Sequence, residues 1–146
     1  MDGMAIALVE ADAAGARGEV PVGAVVLGLD GTLLARAGNA VEATHDASAH
    51  AEMLAMREAA RVLGSPRLIG CTVFVTLEPC PMCAAAMVHF RVGRAVFGAY
   101  DPKGGGVDHG PRVFDAPGCL HRPEIVGGVR EAEAAALLQR FFQERR

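Results

Sequence analysis

The sequence predicts an α/β layered fold. Two apolar segments joined by an Asp30-Gly31 turn predict an opening antiparallel strand pair, helical and β-branched segments alternate after it, and a helix closes the chain. Residues 4–17 are rich in Ala and contain no Pro, so they read as a first helix. Residues 22–27 form a β-branched apolar run and 33–37 its returning partner, while 39–48 read as a polar loop. A second helix is expected over 49–63, capped by Ser48 or Asp46 and stopped by Gly64-Ser65-Pro66. Residues 72–77 alternate and read as a strand. Pro81 suits the first turn of a helix running to about residue 90. A strand over 94–99, a Gly-rich loop over 101–110 and a short strand over 124–126 follow. The closing helix spans 131–145, with Leu138, Phe141 and Phe142 on one face. No repeat, linker or low-complexity segment interrupts this order. The expectation is one domain, residues 1–146, built on a mixed five-stranded sheet covered by helices.

Composition narrows the class. With 51% hydrophobic and 21% charged residues in 146, the chain has enough apolar material for one core and is not of the disordered type. A net charge of −3 speaks against a general nucleic-acid binder, yet it leaves room for a local basic groove. Arg140, Arg145 and Arg146 make the C-terminal end basic. Asp2 stands where a signal peptide would be positive, and no apolar run approaches the length of a membrane span. Four cysteines in such a chain point to a reducing compartment, the cytoplasm, where thiols serve metals or chemistry.

Two clusters carry the chemistry: His50-Ala51-Glu52 and Pro79-Cys80-Pro81-Met82-Cys83. Zinc accepts thiolate and imidazole ligands, and a catalytic zinc keeps one of four positions for water. Cys80 and Cys83, three apart at a helix start, can place both sulfurs on one face, where the helix N-terminus favours the thiolate form. His50 supplies a nitrogen at another helix start. Glu52 is then the candidate proton carrier, taking a proton from water and delivering it to a ring nitrogen and a departing amine. Residues two apart point to different sides of a helix, so this reading requires His50 and Glu52 to lie in the first turn. A zinc ribbon would need a second knuckle, which Cys71, Cys119, His45, His89 and His121 do not form. A redox Cys-x-x-Cys would leave His50 and Glu52 unexplained.

His-x-Glu followed by Pro-Cys-x-x-Cys is the signature of zinc nucleobase deaminases. Around it the sequence resembles the tRNA-specific adenosine deaminases of the cytidine-deaminase-like superfamily over nearly its whole length. The resemblance runs through Glu19 to Val25, Gly38-Asn39, His45-Asp46 to Glu52, Thr76-Leu77-Glu78-Pro79-Cys80, Met87-Val88-His89, Val96-Phe97-Gly98-Ala99 and Phe141-Phe142. It implies a three-layer fold, one Zn2+ per subunit on His50, Cys80 and Cys83, Glu52 as proton shuttle, and adenosine-to-inosine conversion at the wobble position of a tRNA anticodon stem-loop. It further implies that Asn39 bonds the flipped base or its ribose, that Ala51 and Cys80 offer backbone contacts, and that the protein is a homodimer.

Residues 107–114 depart from the Gly-Ser-Leu pattern of many members, and Leu120 replaces the usual Asn before His121-Arg122. The departures bear on contacts to flanking nucleotides. Asp101 and Lys103 are either loop polar residues or RNA contacts. The C-terminal arginines are either a solvated helix end or phosphate contacts, and Phe142 is either core or a border of the substrate. The altered loop and the acidic charge also admit a deaminase of a free base or nucleoside such as guanine, cytosine or cytidine. A metal-stabilised binding protein without turnover would have no use for Glu52.

Overall fold

The computed structural model describes residues 1–145. Of the three C-terminal arginines, Arg146 lies outside the described residues. Gly23–Leu27 forms β1, Leu33–Gly38 β2, Thr72–Leu77 β3, Arg94–Ala99 β4 and Glu124–Val126 β5. They make one sheet in the order β2-β1-β3-β4-β5. β1 pairs antiparallel with both β2 and β3, whereas β3, β4 and β5 run parallel, so the sheet is mixed, as expected.

The hairpin forms where Asp-Gly requires it. Gly31 takes a φ of 84°, and the Asp30 carboxylate accepts the Thr32 N–H at 3.0 Å. β1 is buried along its whole length, which is why its apolar run is unbroken instead of alternating. Its Ala24 and Val26 face one helical layer, α3 (Ala51–Leu63) and α4 (Pro81–His89), through Ala55, Met56, Ala59 and Met87. Its Val25 and Leu27 face the other, α1 (Gly3–Ala16) and α5 (Glu131–Gln143), through Met4, Ala7, Leu8 and Ala134. The result is three layers. Small residues let them approach closely: a Cβ at Gly23 would collide with the Ala7 carbonyl of α1.

The structure corrects four expectations. The loop over 39–48 contains a short helix, α2 (Val41–Thr44), because the buried Glu19 carboxylate accepts the N–H groups of Glu42 at 3.0 Å and Ala43 at 2.8 Å. The helix expected from 49 begins at Ala51, and neither Ser48 nor Asp46 caps it. Asp46 instead accepts from Ser48 N and Oγ, and the Ala51 N–H goes to Asn39 Oδ1 at 2.8 Å, a cap supplied from twelve residues upstream. The closing helix ends at Gln143, not 145. Its two phenylalanines separate, Phe141 being buried and Phe142 half-exposed, since adjacent helical residues lie about 100° apart. Among the described residues, no helix is long and apolar enough to cross a membrane.

Candidate active site

The site lies at the C-terminal ends of the parallel strands, where α/β sheets commonly bind ligands. β3 leads through Glu78 and Pro79 into Cys80, the N-cap of α4, and Pro81 opens that helix with the fixed φ its first turn needs. His50 is the N-cap of α3, with extended backbone (φ −72°, ψ 149°), and Glu52 follows in the first turn. The two helix starts therefore converge, and the fan that His50 and Glu52 require exists.

His50 Nδ1 lies 3.6 Å from Cys80 Sγ and 3.5 Å from Cys83 Sγ. The three ligand atoms all lie within 4.8 Å of one another. In a tetrahedral zinc site with typical bond lengths, a nitrogen and a sulfur ligand are separated by about 3.5 Å, so the donor set and its spacing fit this ion. The protonation pattern fits it too. Hydrogen bonding from Cys83, aided by His50, pulls the Cys80 thiol down to about 4 against its burial. The hydrogen bond to Cys80, with burial, holds the Cys83 proton well above the usual thiol range. Two sulfurs beside an imidazole are the donor chemistry that a dication such as zinc binds.

Three buried glutamates stand at this pocket: Glu19, Glu52 and Glu78. Glu19 and Glu78 hold backbone amides of other segments. The Glu52 carboxylate instead lies against the His50–Cys80–Cys83 group. Burial pushes it up to about 7, with the Cys80 thiolate adding to the rise and its own N–H and His50 opposing it. A buried carboxyl group beside that cluster has the position of a proton carrier.

The pocket, of about 550 Å³, is also lined by Val20, Val22, Asn39, Asp101, Gly104, Phe141 and Arg145. A shallower groove of about 750 Å³ adjoins it, sharing Val20, Leu77, Asp101 and Arg145 and adding Tyr100, Lys103, Leu138 and Phe142. Asn39 thus reaches the inner pocket with Oδ1 already engaged and its amide nitrogen left for other partners. Ala51 is fully buried with its N–H committed to Asn39. Asp101 lines both cavities, although its Oδ1 accepts from Lys103 N and Gly104 N of its own turn. Lys103 and Phe142 lie in the outer groove and not beside the metal ligands. Glu19 and Glu78 are pocket builders that the sequence expectations above do not include, as is the wall made by Phe141 and Arg145. The signal was a glutamate standing alone at the junction of an apolar strand and a helix, a place where only a fully partnered carboxylate is tolerated.

The chain belongs to the cytidine and deoxycytidylate deaminase zinc-binding family, whose profile matches residues 2–99. The family is a zinc-binding one, and His50, Cys80 and Cys83 are arranged so that they could hold a metal ion. It is 50% identical to a tRNA-specific adenosine deaminase of Agrobacterium fabrum (strain C58) over 143 residues, 98% of this chain and 93% of the relative. It is 47% identical to a tRNA-specific adenosine deaminase of Bacillus subtilis (strain 168), covering 96% and 86%. A solved structure from work on A-to-I editing by tRNA:A34 deaminases at the wobble position of transfer RNA superposes with a TM-score of 0.91. Its identity to this chain is 48%, over 93% of this chain and 98% of that one.

Proposed function

We propose that the protein is a zinc-dependent hydrolytic deaminase converting adenosine to inosine at the wobble position of a tRNA anticodon loop, with the whole chain serving as one deaminase domain. The observation that carries the chemistry is a three-ligand zinc cluster beside Glu52, the one carboxylate of the three whose partners are the metal ligands and not remote backbone amides. The substrate rests on the near full-length similarity to tRNA-specific adenosine deaminases at up to half identity. When bound on His50, Cys80 and Cys83, zinc supplies the Lewis acidity that makes water a nucleophile at neutral pH.

Glu52 takes the proton of the attacking water as its oxygen bonds to the purine carbon that bears the amine. It passes that proton to the adjacent ring nitrogen. It then moves the remaining proton of the added hydroxyl to the amine, and as the C–N bond breaks ammonia departs, leaving the carbonyl of inosine. Asn39, held by Ala51 N–H, presents its amide nitrogen to the base or ribose. Phe142 offers a face for a flanking base, and Lys103 and Arg145 offer charge to phosphates; a splayed anticodon loop presents just these groups. The protein works as a cytoplasmic homodimer in this reading.

A stem-loop with adenosine at the wobble position should yield inosine, while free adenosine does not. Ammonia release from guanine, cytosine or cytidine with no inosine in the stem-loop would transfer the reading to a small-molecule deaminase. Glu52→Ala should keep one zinc and lose turnover by about 10²–10⁴-fold, the usual worth of a general acid–base group. Normal turnover by that variant would end the proposed mechanism.

A further inference from the structure

Glu78 is the second buried carboxylate of the pocket, and the deamination scheme has no use for it. Its side chain is fully buried at the end of β3, two residues before Cys80. The loop 101–110 wraps around it. Oε1 accepts from Asp101 N at 3.1 Å and from His109 Nδ1 at 2.8 Å. Oε2 accepts from Val107 N at 3.2 Å, Asp108 N at 3.0 Å and His109 N at 3.2 Å. Consecutive backbone amides turned onto one anion form a nest, here with the anion supplied by the chain itself.

The glycines of the loop allow this approach. A Cβ on Gly105 would collide with Oε2, and one on Gly106 would lie 2.6 Å from Pro81 N. Gly106 N also donates to Pro79 O at 2.8 Å, so the loop is tied to the turn that carries Cys80. The same loop supplies Asp101 and Gly104 to the inner pocket and Asp101 and Lys103 to the outer groove. His109 is part of the fastening: it packs edge-on against Tyr100, another groove residue, with ring centroids 6.2 Å apart.

We propose that Glu78 is a positioning residue that, with His109, fixes the 101–110 loop as the wall on which the nucleotides flanking the target base are held. The claim rests on the RNA-deaminase reading given above. Glu78 does not touch the reacting atoms; it acts through Asp101, Lys103 and Gly104. Loosening it should therefore weaken the grip on substrate more than the chemical step.

Gln is close to isosteric, but its amide places a donor against at least two of the loop's own donors. Glu78→Gln should raise KM for the wobble-adenosine stem-loop by at least about tenfold while kcat stays within about threefold, the loss expected of unmet buried hydrogen bonds. Zinc content should remain one per chain, and amide hydrogen exchange at Asp101, Val107, Asp108 and His109 should accelerate. His109→Ala removes one of five donors and leaves the backbone nest in place. It should show the same KM-weighted pattern at a few-fold, and it keeps the test open should Glu78→Gln not fold. A KM unchanged in both variants, or a loss confined to kcat, would overturn the proposal. A wild-type protein inert on the stem-loop would instead strike the RNA-deaminase reading. In that case the exchange experiment still decides whether Glu78 fastens the loop: unchanged exchange at those amides in Glu78→Gln overturns it, and acceleration supports it.

Discussion

The two walls of the pocket are built by opposite means. On the metal side, two helix starts place His50, Glu52, Cys80 and Cys83 by local geometry: an N-cap, a proline at the first helical position and a first turn. On the loop side, residues 101–110 have no regular structure and take their shape from one buried carboxylate that their amides surround. Each helix start of the first wall is set by residues close in sequence, and the two starts then meet across 30 to 33 positions. The second is specified across 23 to 31 positions. Short-range construction suits ligands that must not move, whereas a wall hung on a single anion can be reshaped by changing a few loop residues.

Removing the metal tests the first wall and carries the largest expected effect. Cys83→Ala, or chelation of the wild type, should abolish turnover and lower stability, by about 4 kcal/mol where free zinc stands a thousandfold above its dissociation constant. Thermal unfolding with and without zinc measures it, and the shift should vanish in Cys83→Ala. An equal zinc-dependent shift in that variant would show that Cys83 holds no metal.

The three glutamates sharpen the comparison next. Glu19→Gln and Glu78→Gln each set an amide donor against backbone donors and should cost about 1–3 kcal/mol. Glu52→Gln in the zinc-free protein should cost nothing or stabilise, because burial already penalises its charge. Urea midpoints at pH 8 rank the three. A Glu52→Gln loss as large as the others would make Glu52 a structural residue.

This contrast also explains what the sequence could reveal. The strands over 72–77, 94–99 and 124–126, the hairpin and the converging ligands of the metal site were all legible, because each depends on local patterns of period, turn residues and metal-ligand types. The cap of α3 was not, since Asn39 lies twelve positions from Ala51 and resembles an ordinary turn residue. α2 was hidden for the same reason, its amides being held by Glu19 from 23 positions away. The place of Glu78 at a strand–helix junction marks it as a carboxylate in need of partners, but nothing adjacent announces that a glycine-rich stretch will return to supply them.

Acidification should separate the walls more gently. Burial alone would raise the Glu78 carboxyl, but the Asp101 amide, the His109 ring and the Asp108 and Val107 amides outweigh it and hold the group below the usual carboxylate range. A carboxyl group depressed on folding contributes stability that is fully present above its unfolded pKa and is lost as pH falls through its folded value. Wild type should therefore exceed Glu78→Gln in stability at pH 6, and the gap should narrow below about pH 4. Denaturant titrations at stepped pH measure it, and a gap constant down to pH 3 would mean that the charge of Glu78 contributes nothing.

The smallest effect on stability is expected at the outer groove. Phe141 is 8% exposed and Phe142 50%, although they are adjacent and stack edge-on with centroids 5.3 Å apart. Phe141 also carries the Arg145 guanidinium over its ring. Phe141→Ala removes a buried ring and should cost about 3 kcal/mol, whereas Phe142→Ala should change stability by no more than about 0.5 kcal/mol. If Phe142 offers its face to a flanking base, its loss should appear in KM for the stem-loop, as the stacking contribution of one base, about 1–3 kcal/mol. Unchanged KM together with unchanged stability would leave the ring with neither role, and the outer groove would then owe its grip to Lys103, Arg145 and the loop that Glu78 holds.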